Sequence, residues 1–147
     1  MKWTVGNTEQ DCFVRVVLEG DFSIDEFYLI FKEILSHADW SQGMHILFDD
    51  TNLSLADTNL EMIRQASDCY AEQHFNIGDG RVALLMNSIT DFARGRQFEM
   101  LTENKIPSNI GIFRKEEAAV DWLLCNEGSF NPSSDPNQDF HIYKGNL

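Results

Sequence analysis

Short apolar runs alternate along the chain with longer segments in which apolar residues recur every three or four positions. Near the start, Val14, Val16 and Leu18 are spaced two residues apart, which is the period of a strand that buries one face. Residues 3–5 form another short stretch of this kind, and we expect the two to pair as an antiparallel hairpin. Gly20 then breaks the pattern.

The first helix has the clearest start in the chain. Ser23 is followed three positions later by Glu26, the spacing of a capping box. Apolar residues then follow at helical spacing, namely Phe27, Ile30, Phe31, Ile34 and Leu35. The pattern predicts a helix that extends to about His37.

A second strand–helix unit is predicted after Gly43. Residues 44–48 are an apolar run that is followed at once by Asp49 and Asp50, which is typical of a short buried strand entering a polar loop. We expect Asp57 to cap the next helix, which ends near Gly78. Its predicted buried stripe consists of Leu60, Ile63, Ser67, Tyr70 and His74.

Two more units of the same kind complete the pattern. Residues 82–86 are a continuous apolar run that leads through polar residues into a helix carrying Phe92, Ala93, Phe98 and Leu101. Residues 110–113 predict the last strand, and the helix after it has Glu116 and Glu117 in its first turn, where acidic side chains are favourable.

The predicted element order is therefore ββαβαβαβα. Strands that alternate with helices predict crossover connections around a mixed, mostly parallel sheet, with the hairpin at one edge of an α/β fold. With 147 residues, 43% of them hydrophobic, the chain is long enough for one good core. We expect one domain over residues 1–127 and an irregular tail over 128–147 that docks on it through its apolar residues.

Charge narrows the range of partners. The net charge of −13 repels nucleic-acid phosphates and anionic lipid headgroups, so we expect neither nucleic acid nor a membrane surface as a partner. The first residues contain no apolar stretch long enough for a signal peptide, and no later segment is long and apolar enough to cross a bilayer. These features predict a cytoplasmic protein.

Three stretches of the sequence resemble the STAS superfamily, and within it the small stand-alone SpoIIAA-like proteins of bacteria. They are ILFDDTNLSLADTNLEMI at 46–63, RVALLMNS continuing into DFARGRQFEML, and IGIFRKEEAAVDWL. The likeness extends over roughly residues 3–125. It implies a SpoIIAA-like fold and a non-enzymatic interaction or regulatory module with a protein partner.

The sequence departs from this family at the helix start after residue 57. In the antagonist branch of the family, a serine at that point is phosphorylated, and the added charge releases the partner. Here Asn59 stands at the usual acceptor position, the family's glycine is absent, and Thr58 keeps a hydroxyl. The departure predicts that the usual phosphoswitch is lost, with Thr58 as a weak candidate phosphosite. The simpler interpretation is that Asp57 and Thr58 cap the helix.

Candidate ligand- or partner-binding residues lie where the predicted strands end and at the helix starts that follow, because ligands of open α/β sheets bind beyond the carboxyl ends of the strands, near helix N-termini. They are Asp49, Asp50, Thr51, Asp57, Thr58, Asn87, Ser88 and Arg94, with Arg114 after the last strand. The alternative interpretation is that they are solvated loop and capping residues, and that Arg94 and Arg96 pair with nearby acids.

No motif for catalysis, metal or cofactor accompanies these residues. The chain has no glycine-rich phosphate loop and no GxSxG elbow, and its histidines and its three widely spaced cysteines lack metal-ligand spacing. We therefore predict a protein that is not an enzyme and has no cofactor and no required metal. The alternative to a protein-interaction module is a protein that binds a small apolar ligand or lipid, because the many aromatic residues could line a cavity instead of filling the core. Exposed sheet edges would permit a homodimer.

Overall fold

The computed structural model describes residues 1–6, 12–107 and 109–125, and in this part of the chain the predicted order ββαβαβαβα is confirmed. The strands are β1 (Lys2–Gly6), β2 (Phe13–Asp21), β3 (His45–Ser54), β4 (Val82–Leu85) and β5 (Ile110–Phe113). The helices are α1 (Ile24–Ser36), α2 (Leu60–Ile77), α3 (Ile89–Glu103) and α4 (Glu116–Leu124). The predicted tail over 128–147 lies outside the described residues, and the domain boundary at 127 stays a prediction.

The strands form one sheet in the order β1-β2-β3-β4-β5. β1 pairs with β2 antiparallel, as the predicted hairpin requires, and the other neighbours are parallel. Alternate residues of β2 face opposite sides of the sheet, so that Val14, Val16 and Leu18 join the core beneath α1, α2 and α3, whereas Phe13 joins the core beneath α4. The sheet is thus covered by three helices on one face and by α4 on the other.

β3 is longer than its apolar run predicts, and the expectation that Asp49 and Asp50 end this strand is wrong. β3 continues to Ser54 because β2 pairs with it as far as Asp21↔Ser54. Between Asp49 and Asn52, β3 contains one residue more than β2 does over the segment facing it, which is a β-bulge.

The bulge changes which residues of β3 face the three-helix core. Phe48 and Asp50 alternate in the regular way, and the extra residue then places Leu53 rather than Asn52 on the same side, where it is buried in that core. Asp50 is consequently carried into the interior instead of into a polar loop.

The first residues of the helices confirm one predicted cap and correct another. The Ser23 hydroxyl accepts a hydrogen bond from the Glu26 backbone N–H at 3.3 Å, as expected for α1. At α2 the predicted cap, Asp57, is wrong, because Asn59 Oδ1 accepts from the Met62 N–H at 2.9 Å. Leu60, predicted on the buried stripe of α2, is the first residue of the helix and is 50% exposed.

Replacing Asn59, the observed cap, should destabilise the protein, and replacing Asp57, the predicted cap, should not. We expect Asn59→Ala to lower the free energy of unfolding by about 1 kcal/mol, because one N–H at the start of α2 loses its acceptor. Asp57→Ala is the matched control, and we expect a change within about 0.5 kcal/mol because Asp57 is exposed and outside the helix. Urea unfolding of both variants measures this, and equal losses would contradict the assignment of the cap.

Candidate functional site

Asp49 and Asp50 are adjacent in sequence but face opposite sides of the sheet. Asp49 Oδ1 accepts hydrogen bonds from the backbone N–H and the hydroxyl of Thr51, at 3.2 and 2.7 Å. Its other oxygen lies 3.7 Å from Arg15 Nη1, and the same guanidinium contacts Glu116 of α4 at 2.7 Å. Asp49 and Thr51 are therefore engaged in holding the sheet end and α4 together.

The candidate residues around the start of α3 are also largely engaged in local structure. The Ser88 hydroxyl caps α3 by accepting from the Asp91 N–H at 3.1 Å, and Asn87 before it is exposed. Arg94 Nη1 lies 3.3 Å from Asp91 Oδ1, so the predicted pairing of this arginine with an acid is observed. Arg96 pairs in the same way with Glu99.

A cavity of about 80 Å³ lies between the sheet and the layer formed by α1, α2 and α3, and it is partly open to solvent. Most of its lining is apolar, and it includes five aromatic side chains, Phe22, Phe27, Phe48, Tyr70 and Phe98. The remaining polar residues of the lining are Asp50, Thr58 and Arg94. Of the eight predicted binding residues, these are the three that the cavity brings together, and the other five lie outside it.

Asp50 is the most unusual residue of this lining. It is 9% exposed, and its Oδ1 atom is fully buried without a hydrogen-bond partner among the described residues. Burial first, and then the negative charges of Asp49 and Asp91, together raise its pKa from 3.8 to about 7. The cavity therefore contains a carboxyl group that is close to half protonated at neutral pH and that offers an unused hydrogen-bonding atom.

The aromatic residues divide between cavity and core. Phe27, Phe48 and Phe98 line the cavity. This agrees with the alternative interpretation of the sequence, in which aromatic residues line a cavity instead of filling the core. Phe31 instead packs edge-on against Phe27 and Tyr70, with ring centroids 5.0 and 6.1 Å apart. Spacing identified these residues as core-facing, but it contained no signal for which of them would leave a space between them.

Gly95 is a cavity residue that the sequence analysis missed. It lies on the buried side of α3, and a Cβ atom at this position would come within 3.0 Å of Ile112 and Met86 side chains. A glycine inside a predicted helix often marks a close approach, and that signal was present in the segment DFARGRQFEML.

A second polar cluster joins α2 to α3 and resembles a nucleophile–base pair in composition. Lys105 Nζ donates to the Ser67 hydroxyl at 2.9 Å, which in turn lies 2.9 Å from the Thr102 hydroxyl. Thr102 donates to the Phe98 carbonyl at 2.7 Å, and Lys105 is paired with Asp68 at 2.6 Å. Because Ser67 has no exposed surface and the lysine is neutralised by an aspartate, this cluster ties two helices together and offers no accessible nucleophile.

Among residues 1–6, 12–107 and 109–125, no group of three or more histidine, cysteine, aspartate or glutamate side chains is arranged to hold a metal ion. None of the helices described there combines the length and the apolar character needed to span a membrane.

The fold is similar to that of a solved structure, an uncharacterized protein of the DUF3478 family with a SpoIIAA-like fold from Shewanella loihica PV-4. The TM-score is 0.54 at 16% sequence identity, and the match covers 83% of this chain and 92% of that one. No family model and no curated protein matches the sequence. The predicted SpoIIAA-like fold is thereby confirmed, and at this identity the likeness extends to the fold alone.

Proposed function

We propose that this protein is a non-enzymatic binding protein whose ligand is small and predominantly apolar and occupies the cavity beside Asp50. The observation that carries the proposal is the combination of an apolar lining with one buried carboxyl oxygen that no described residue satisfies. Binding sites for small molecules have this composition, in which apolar walls supply affinity and a few polar groups set orientation. From the sequence, a protein-interaction module is the first hypothesis and a small-ligand-binding protein the alternative. Because of the cavity, we place small-ligand binding first.

The volume of the cavity limits the ligand. Pockets for drug-sized ligands measure roughly 300 Å³ or more, and an apolar cavity of about 150 Å³ accepts benzene. At about 80 Å³ the cavity holds a group of only a few heavy atoms, with the rest of any larger ligand extending through the opening to solvent. A lipid chain does not fit in this conformation, so within the original alternative we favour the small ligand over the lipid.

A protein-interaction module is the second candidate, and exposed apolar residues at the helix starts support it. Leu60 at the start of α2 and Ile89 at the start of α3 are 50% and 56% exposed. The usual phosphoswitch is a poor fit at this place, since Thr58 is partly buried and lines the cavity that contains Asp50. A phosphate there would bring at least one more negative charge towards a carboxyl that already lacks a partner.

The cavity can be tested by filling it. Ala66 of α2 lines it, and Ala66→Leu adds three carbon atoms to the lining. We expect xenon and cyclopropane to shift the NMR methyl resonances of Ile63, Leu84 and Met86 in the wild type and to have no such effect in Ala66→Leu. Ala93→Leu makes the same change at an exposed position of α3 and should bind as the wild type does.

Circular dichroism and cooperative urea unfolding establish that each variant is folded, and Ala66→Val replaces Ala66→Leu if the larger side chain prevents folding. The proposal is overturned if neither probe shifts these resonances in the wild type. It is equally overturned if both probes bind the filled variant and the wild type alike.

A further inference from the structure

Asp50 Oδ1, which has no hydrogen-bond partner among the described residues, determines which chemical group of a ligand can lie next to it. A buried acceptor without a partner is unfavourable, and a donor brought by a ligand removes that cost. Asp50 Oδ1 is such an acceptor whenever the carboxyl group is ionised. The ligand therefore needs a donor at the end that enters the cavity.

The charged and titratable groups around Asp50 set the sign of charge that the site prefers. On β3 the neighbour is Asp49, and from α3 come Asp91 and Arg94. Arg94 is paired with Asp91, and from α2 the cavity is lined by Tyr70, whose pKa is raised by burial so that it stays neutral. The two charges that raise the pKa of Asp50 together with burial, those of Asp49 and Asp91, are both negative, so the site prefers a positive charge.

We propose, as a refinement that rests on the function proposed above, that the ligand is a small organic cation, a primary ammonium group on a short apolar body. Its ammonium group donates a hydrogen bond to Asp50 Oδ1, and its apolar part lies against the aromatic lining. The bond is charge-assisted and lies in a desolvated site, where such bonds are strongest.

The other two ligand classes fit the site less well. A small carboxylate would bring a negative charge towards Asp49, Asp50 and Asp91, with only Arg94 to offset them and that residue already paired. A neutral alcohol donates one hydrogen bond but leaves the buried charge of Asp50 uncompensated. The net charge of −13 also raises the concentration of cations near the surface, which favours an ammonium ligand further.

This ligand class implies a specific pH dependence. An ammonium group binds the ionised form of Asp50, which gains population as pH rises through about 7. An alkylammonium group, like that of lysine, keeps its charge throughout this range. We expect affinity to rise about tenfold between pH 6 and pH 8, because the ionised fraction of a group with a pKa near 7 rises by about that factor.

The test compares n-butylammonium, n-butanol and n-butyrate with the full-length protein, by NMR titration at pH 6 and pH 8. We expect n-butylammonium to bind most tightly and to show the pH effect, and we expect Asp50→Asn to abolish both the preference and the pH effect. Asp57→Asn is the matched control, since it removes one carboxylate at an exposed position near the start of α2 and should leave both unchanged.

The outcomes separate this inference from the function on which it rests. Binding of n-butanol or n-butyrate at least as tight as that of n-butylammonium overturns the ligand class and leaves the cavity as a binding site. Equal losses in Asp50→Asn and Asp57→Asn also overturn it, because general surface charge would then be responsible. If none of these compounds binds, and xenon and cyclopropane do not bind either, both the ligand class and the proposed function fail.

Discussion

The Asp50→Asn variant should be more stable than the wild type by about 2 to 4 kcal/mol at pH 8, and the difference should shrink as the pH is lowered. In the unfolded chain an aspartate ionises near pH 3.8, whereas in the folded protein Asp50 holds its proton to about pH 7. Between these values the folded state binds more protons than the unfolded state, so wild-type stability falls as pH rises. A shift of this size corresponds to about 4 kcal/mol, and the asparagine amide, which is neutral but also lacks partners, recovers part of it.

Urea unfolding from pH 5.5 to pH 8.5 tests this prediction. This pH range lies above the isoelectric point, which is near 4.5. The stability difference between variant and wild type should grow by about 1.4 kcal/mol per pH unit up to pH 7 and then level off. A difference that is constant over this range, or a variant less stable than the wild type at pH 8, would mean that Asp50 is not a buried, unpartnered carboxyl.

Gly80→Ala should lower the free energy of unfolding by about 3 kcal/mol, far more than Gly6→Ala. Gly80 precedes β4, and a Cβ atom there would lie 2.2 Å from the carbonyl oxygen of Met44 and 2.7 Å from that of Gly43. These are backbone atoms of the two residues just before β3, so no side-chain rotation relieves the clash. The two strands must separate where their pairing begins, at Ile46↔Val82.

Gly6→Ala is the matched control for this substitution. A Cβ atom at Gly6, the last residue of β1, has no heavy atom of the described residues within 4 Å, so we expect a change within about 0.5 kcal/mol. Urea unfolding midpoints of the two variants give the comparison. Similar midpoints for both would show that the start of β4 is not packed against the segment before β3.

The order of the elements was predictable because it depends on local periodicity. The alternation Val14, Val16, Leu18 and the helical spacing from Phe27 onwards each concern one segment and the side of it that is buried. The wrong predictions for the end of β3 and for the cap of α2 arose where a neighbouring segment determines the structure. The end of β3 depends on the length of β2, since Asp49 and Asp50 stay in the strand as long as β2 offers backbone partners.

The cap of α2 shows the same dependence on a smaller scale. Asp57 and Asn59 are both residue types that favour the cap position. The choice between them is made by the turn before the helix, in which the Thr58 N–H donates to the Leu55 carbonyl at 3.0 Å. That turn is a consequence of where β3 ends, so an early error in the strand moved the predicted cap as well.

The candidate site was predictable in composition but not in arrangement. The sequence supplied Asp50, Thr58 and Arg94 as candidates, together with aromatic residues that were able to line a cavity. It contained no signal that Asp49 and Asp50 would take opposite sides, because they were expected to follow the strand, and the pleat separates neighbouring residues only within a strand. The space itself is a result of how side chains from three helices meet the sheet, which no local pattern records.

An ammonium ligand is favoured in the cavity only if the carboxyl group of Asp50 is buried and unpartnered in the folded protein. An NMR titration of its carboxyl carbon, in the wild type without added ligand, measures this most directly. Our account predicts a midpoint near pH 7 and a shift to lower pH when n-butylammonium is added. A midpoint near 4, the ordinary value for an exposed aspartate, would contradict it.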